Sequence, residues 1–80
     1  MSLELNIVSP AKVEYKGSVD RVVVPGTSGD FEILTNHAPI ISSLVAGRIT
    51  YDDANGAHEM MVNRGFVEVQ KNKVTICVEI

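Results

Sequence analysis

The chain has 80 residues, of which ten are acidic and seven basic, giving a formal net charge of −3 at pH 7. These charges are scattered singly, so the sequence has no basic face that would attract the phosphate backbone of a nucleic acid. An apolar content of 45% excludes a disordered chain. A chain of this length buries roughly 60–65% of its unfolded surface, which is enough for one small core. We therefore expect residues 1–80 to form a single domain.

Alternating apolar and polar residues predict three short strands in the first part of the chain. The first strand ends at Pro10, and the second ends before Gly17. The third runs from Val19 to Val24 and is expected to stop at Pro25, because proline lacks a backbone donor. The apolar residues that alternate in the first two strands are Leu3, Leu5, Ile7, Val13 and Tyr15.

Two predicted turns follow, separated by one strand. The first turn, over 26–29, has a glycine at each end, where φ values closed to other residues are available. Residues Asp30 to Leu34 alternate and predict a strand, and the segment 36–39 makes the second turn. The stretch Ile40 to Val45 is more apolar, as expected of a strand that is covered on both faces.

Two hairpins are predicted in the second half. Arg48–Tyr51 and His58–Val62 flank a loop that contains Asn-Gly, and Val67–Gln70 and Lys73–Ile76 flank the two-residue turn Lys71-Asn72. A turn of two residues places apolar residues opposite apolar residues, which supports this register. The expected pairs are Gln70 with Lys73, Val69 with Val74, and Val67 with Ile76. Together the segments predict an all-β fold, a small antiparallel β-sandwich of about ten short strands in two sheets.

Patterns typical of catalytic or metal sites do not occur in the sequence. Cys77 is the only cysteine, so it cannot form an intrachain disulfide, and its alternation with valine and isoleucine indicates a small packing residue. His37 has no nucleophile beside it in a recognised arrangement, which favours a structural or interface role over catalysis. His58 is expected to be solvated, and two isolated histidines do not build a zinc site. We therefore expect no catalytic residues, no metal and no cofactor.

The order of residues in the two turns resembles a known family. Pro-Gly-x-x-Gly-Asp-Phe over 25–31, followed by Asn-His-Ala-Pro over 36–39, is similar to the signature of the epsilon subunit of F-type ATP synthases, called delta in mitochondria. The segments 3–9, 13–24 and 65–78 fit the family's first domain in order and spacing, so the resemblance covers essentially the whole chain. Glu32 and Thr35 stand where the family usually has Gly and Pro.

The resemblance implies an epsilon-type β-sandwich domain over 1–80, with five strands in each layer. It also implies a non-catalytic central-stalk (rotor) subunit of the F1 sector, which links the gamma subunit to the c-ring and couples proton or sodium ion flow to ATP synthesis. Such a subunit would be peripheral, at the cytoplasmic face of the bacterial inner membrane, and would meet the membrane only through the complex. The sequence carries no signal peptide and no apolar run of about 20 residues, which agrees with that location.

The resemblance assigns two sets of contact residues. Those expected to face the c-ring are Thr27, Ser28, Gly29, Asp30 and Phe31. Those expected to face the gamma subunit are His37, Ala38 and Pro39.

Two further expectations concern the extent of the protein and the competing class of function. Epsilon subunits commonly carry a helical hairpin after the sandwich, and the sequence ends at Ile80, where that hairpin would begin, so either a natural short form or a trimmed chain is expected. The alternative class is a free-standing β-sandwich that binds a ligand or serves as an adaptor through an exposed sheet edge. The chain has only four aromatic residues (two Tyr and two Phe), too few to line a small-molecule cavity.

Overall fold

The computed structural model describes residues 2–80, and within that range the chain forms nine β-strands and no helix. The strands are β1 Leu3–Val8, β2 Val13–Val19, β3 Arg21–Gly26, β4 Gly29–Ile33, β5 Ile40–Leu44, β6 Gly47–Asp53, β7 Gly56–Val62, β8 Arg64–Gln70 and β9 Lys73–Glu79. The predicted all-β class is confirmed. Residues 2–80 contain no helix that is long and apolar enough to span a bilayer.

The strands lie in two layers that are continuous at one point. One layer has the order β2-β1-β9-β8-β5, and the other has the order β4-β3-β6-β7. The layers join where Gly26 of β3 pairs with Leu44 of β5, so the sheet curls over on itself and forms the predicted sandwich. Neighbouring strands are antiparallel except for β1 and β9, which lie side by side in parallel. The described residues thus form layers of five and four strands rather than the expected five and five.

The core lies between the two layers and is built from alternate residues of the strands. Leu3, Leu5 and Ile7 of β1 are fully buried, and Val74 and Ile76 of the neighbouring β9 are fully buried beside them. The polar residues between them point outward, as the period of two requires. Each fully buried Ile, Leu or Val side chain contributes about 1.5–3 kcal/mol relative to its exposed state. The apolar residues of both layers therefore hold the sandwich closed.

The predicted register of the β8–β9 hairpin is confirmed. Val67 pairs with Ile76 and Val69 pairs with Val74, which leaves a two-residue turn. Lys71 and Asn72 form this turn with φ values of 51° and 62°. Two left-handed residues in succession match the right-handed twist of the flanking strands.

The β6–β7 hairpin is also confirmed, with a shorter turn than the sequence indicated. Pairing extends to Asp53 opposite Gly56, so only residues 54 and 55 remain unpaired. Gly56 has a φ of 115°, a conformation that glycine adopts readily.

The prediction that the third strand stops at Pro25 is wrong. Strand β3 continues through Pro25 to Gly26, and Pro25 pairs with Asp30 across the hairpin. On its other side β3 pairs with β6 up to Val23 and with β5 at Gly26. Pro25 therefore lies where β3 changes neighbours, and a missing backbone donor interrupts no regular ladder there.

The prediction that Ile40 to Val45 is covered on both faces is also wrong. Leu44 is buried, but Ile41 is 75% exposed and points away from the core. Strand β5 lies at one edge of the five-stranded layer, and Ile41 and Ser43 on its outer face are exposed. The apolar run therefore contributes one face to the core and one to the surface.

Candidate interaction surfaces

Strand β4 places the two predicted contact segments at opposite ends of the sandwich. The turn at 27–28 precedes β4, and the loop at 34–39 follows it. Five residues at about 3.3 Å each separate the two ends of this strand by roughly 13 Å. We call them the Thr27 end and the His37 end.

The Thr27 end presents an exposed polar turn with one carboxylate. Residues 27–30 are all exposed. Gly29 has a φ of 120°, and no heavy atom lies within 4 Å of the position that a Cβ would occupy there. The side chain of Asp30 forms no hydrogen bond or ion pair with the other described residues. Phe31 is half-buried and packs against the core. The ring of Phe31 therefore anchors the turn on the core, while the carboxylate of Asp30 stays unpaired.

Apolar side chains lie at the same end of the sandwich. Val45, Met61 and Ile80 are 43%, 60% and 63% exposed. A shallow depression of about 390 Å³ lies between Ala46, Gly47, Met61, Val62, Asn63 and Ile80. The Thr27 end thus combines one unpaired carboxylate with exposed apolar groups, a combination suited to contact with another protein.

Hydrogen bonds hold the loop at the His37 end in a defined shape. The backbone N–H of His37 donates to the carbonyl of Leu34 at 3.1 Å, and Nδ1 of His37 lies 2.7 Å from the carbonyl oxygen of Ala38. The N–H of Asn36 donates to Oδ1 of Asn72 at 2.6 Å. The imidazole of His37 therefore contacts turn backbone, while Ala38 and Pro39 are exposed.

The outer face of the five-stranded layer carries an apolar surface. Ser43, Phe66, Cys77 and Val8 are neighbours in one row across β5, β8, β9 and β1. Phe66 is 48% exposed, and the row forms one side of an open groove of about 650 Å³ that also contacts Pro10. We call Ile41, Phe66, Cys77, Val8 and Pro10 the apolar face.

Two members of the apolar face were not singled out from the sequence. The alternation places Val67 and Val69 in the core, so Phe66 must point outward with the polar Glu68. An aromatic residue on the polar face of a strand was the signal that could have identified it. Ile41 carried no comparable signal, because an isolated apolar run does not reveal which of its faces is covered.

A polar cluster links the edge strand β2 to the opposite layer. The hydroxyl of Tyr15 donates to Oδ2 of Asp53 at 3.1 Å, and Nε2 of His58 lies 2.9 Å from Oδ1 of the same carboxylate. The Tyr15 and Tyr51 rings are tilted with centroids 4.4 Å apart, and His58 stacks on Tyr51 at 5.3 Å. The side chain of His58 is 39% exposed, as its predicted solvation requires, but the β6–β7 register also places it beside both groups, which the sequence did not indicate.

The same cluster shifts the pKa values of its members. The hydrogen bond to His58 is the main cause that lowers the pKa of Asp53, and bonds from Asn55 and Tyr15 act in the same direction. Burial and the neighbouring carboxylate raise the pKa of Tyr15, and burial raises that of Tyr51. Among residues 2–80 no group of three or more His, Cys, Asp or Glu side chains could hold a metal ion. The geometry of the cluster is that of a structural tie between the layers.

The described residues thus form a β-sandwich with polar turns at two ends and an apolar outer face. The family model described as "ATP synthase, Delta/Epsilon chain, beta-sandwich domain" matches residues 2–80, and the chain belongs to this family.

Curated relatives named ATP synthase epsilon chain match the sequence over nearly its full length. That of Leptospira borgpetersenii is 42% identical over 74 residues, which is 92% of this chain and 58% of the relative. That of Nitratidesulfovibrio vulgaris is 41% identical over 78 residues, or 98% of this chain and 58% of the relative. The chain thus spans somewhat more than half the length of these relatives.

Two solved assemblies share the fold. A chain of the Euglena gracilis mitochondrial ATP synthase (OSCP/F1/c-ring) matches with a TM-score of 0.89 at 16% identity, over 96% of this chain and 50% of that one. A chain of the Tetrahymena thermophila mitochondrial ATP synthase (central stalk/c-ring) matches with a TM-score of 0.82 at 17% identity, over 100% and 65%. At such low identity the likeness shows the fold alone.

Proposed function

We propose that the chain is the sandwich part of a non-catalytic central-stalk subunit of a bacterial ATP synthase, peripheral at the cytoplasmic face of the inner membrane. In this role it links the gamma subunit to the c-ring and helps to couple proton or sodium ion flow to ATP synthesis. The observation that carries the proposal is the 42% identity to a curated ATP synthase epsilon chain over 92% of the sequence. A close-packed sandwich suits a part that transmits force, because such cores resist deformation.

The Thr27 end is the surface that we assign to the c-ring. Thr27, Ser28, Gly29 and Asp30 are exposed, and Phe31 anchors the turn on the core. An unpaired carboxylate at such a contact selects a partner surface of complementary charge. Exposed Met61 and Ile80 at the same end add apolar area to this contact.

The gamma subunit is assigned to the His37 end and the apolar face, which form one continuous surface. Pro39 and Ile41 line a shallow depression of about 420 Å³ at the start of β5. Ile41 points outward on the same side of β5 as Ser43, which pairs with Phe66. The surface therefore runs from His37, Ala38 and Pro39 along β5 to the apolar face. Exposed apolar area of this kind marks protein–protein contacts.

The c-ring assignment is tested by reversing the charge of Asp30. Asp30→Arg should leave the sandwich folded, since an exposed surface change costs within about 0.5 kcal/mol. In membranes whose ATP synthase carries the variant, ATP-driven proton pumping should fall relative to ATP hydrolysis. Glu59→Arg, a reversal of an exposed carboxylate on the outer face of β7 that is assigned to neither partner, serves as the control. Unchanged pumping with Asp30→Arg would remove Asp30 from the contact.

The gamma assignment is tested by a direct binding measurement. Immobilised purified gamma subunit should retain the 80-residue chain, and Phe66→Ser should weaken retention without unfolding the domain. Met61→Ser removes a comparably exposed apolar side chain outside this surface and should bind as the wild type does. If gamma does not retain the wild-type chain, the proposed central-stalk function fails, and the alternative of a free-standing ligand-binding or adaptor domain is favoured.

A further inference from the structure

We infer that Asn72 is a positioning residue that holds the His37 loop in its gamma-binding conformation, an inference that rests on the proposed function. The side chain of Asn72 reaches from the β8–β9 turn to Asn36, which is 36 residues distant in the chain. Its Oδ1 accepts the backbone N–H of Asn36 at 2.6 Å, and its Nδ2 donates to Oδ1 of Asn36 at 3.4 Å.

The backbone of Asn72 is itself firmly placed. Its carbonyl accepts the N–H of Glu4 at 2.8 Å, which ties the turn to β1. Asn72 and the preceding Lys71 form the two-residue turn between the paired strands, with Gln70 opposite Lys73. The amide group of Asn72 therefore projects from a rigid part of the sheet.

The hydrogen bonds of His37 itself lie within its own loop. The bonds of His37 run to Leu34 and Ala38, so they shape the turn but do not fix its position against the sheet. Asn36 is exposed and has a φ of 67°, a left-handed conformation that asparagine adopts more readily than most other non-glycine residues. The Asn72 amide bonds to the backbone of this residue, which directly precedes His37.

Loss of this tie should lower the fraction of molecules whose loop is competent to bind. The apparent dissociation constant rises as that fraction falls. A neutral hydrogen bond of ordinary net strength corresponds to a roughly fivefold change in such an equilibrium. We expect a weakening of that size for gamma binding.

Three variants distinguish the contribution of the Asn72 side-chain amide from that of the turn in which it lies. Asn72→Gly retains the left-handed backbone and removes the amide, and it should weaken binding to purified gamma about fivefold. Asn72→Asp keeps an acceptor for the Asn36 N–H and should restore most of the affinity. Lys71→Gly adds a glycine to the same turn without touching the tie and should bind as the wild type does.

The measurements are the dissociation constant for purified gamma and amide hydrogen exchange of the 80-residue chain. In the wild type the Asn36 amide should be protected despite its place in an exposed loop, and Asn72→Gly should abolish that protection. Exchange of the wild-type Asn36 amide at the rate of an unprotected loop would overturn the inference whether or not the variants fold. Equal weakening by Lys71→Gly and Asn72→Gly, or wild-type affinity of Asn72→Gly, would also overturn it. Failure of the wild-type chain to bind gamma would instead reject the proposed function.

Discussion

Gly65 offers a direct test of how the β8–β9 pair supports the sandwich. A Cβ added at this residue would lie 2.1 Å from the carbonyl oxygen of Cys77 and 3.1 Å from the Cα of Val78. An ordinary carbon–oxygen contact is about 3.3 Å or longer, so Gly65→Ala forces backbone atoms to separate by roughly 1 Å. Hydrogen bonds near 2.9 Å would then exceed their normal range.

The loss of stability caused by Gly65→Ala can be estimated from the groups that must move. Gly65 pairs with Val78 on one side and Leu44 on the other, and both partners belong to the core. Two ladder hydrogen bonds contribute about 0.5–1.5 kcal/mol each, and loosened core packing adds a comparable amount. We expect Gly65→Ala to lower the free energy of unfolding by about 2–6 kcal/mol. An 80-residue domain has a total of about 4–12 kcal/mol, so Tm should fall by at least about 10 °C.

The assay is thermal and urea unfolding followed by circular dichroism, with Gly17→Ala as the matched control. At Gly17 the nearest obstacle to a Cβ is the Tyr15 hydroxyl at 2.8 Å, the tip of a side chain, and moving it costs at most the hydrogen bond to Asp53. We therefore expect this control to lower stability by no more than about 1 kcal/mol. A Gly65→Ala protein as stable as the control would refute the steric argument.

Three further outcomes are expected. Ile76→Val, which removes one methylene group from a fully buried side chain, should cost about 0.5–1.5 kcal/mol in urea unfolding. Tyr15→Phe deletes the hydrogen bond to Asp53 and should lower the free energy of unfolding by about 1 kcal/mol, with faster amide hydrogen exchange in β2. Unchanged exchange in β2 would show that this bond does not tie the layers together. Hydrogen bonds from His58 and Arg64 lower the pKa values of Asp53 and Glu79, respectively, in the folded protein. The ionised carboxylates therefore stabilise the fold above about pH 4, and this contribution is lost on further acidification. Asp53→Asn should reduce this acid dependence, measured by unfolding from pH 7 to pH 2.

The ties between the layers bear on the proposed mechanical role. One edge of the sandwich is closed by the Gly26–Leu44 pair and by a 2.9 Å bond from the Val45 N–H to the Pro25 carbonyl. The other edge is closed by the bond from Tyr15 to Asp53. A curled sheet tied at both edges resists shear between its layers, which a subunit loaded at opposite ends requires.

Much of the architecture was determined by the sequence alone, because side chains in a strand alternate with a period of two. The alternation of Leu3, Leu5 and Ile7 identified the buried face of β1, and the apolar matches across Lys71-Asn72 specified the β8–β9 register. The ordered residues of the two turns, 25–31 and 36–39, indicated the family.

Only the tertiary structure decided which strands meet and what they leave uncovered. Pairing of β1 with β9 and the exchange of neighbours at Pro25 depend on contacts between distant segments, which local patterns do not encode. For the same reason the exposure of Ile41 was hidden in an apolar run, since coverage depends on the presence of another layer. The bond between Asn36 and Asn72 likewise requires two turns, far apart in the chain, to arrive at one end of the sandwich.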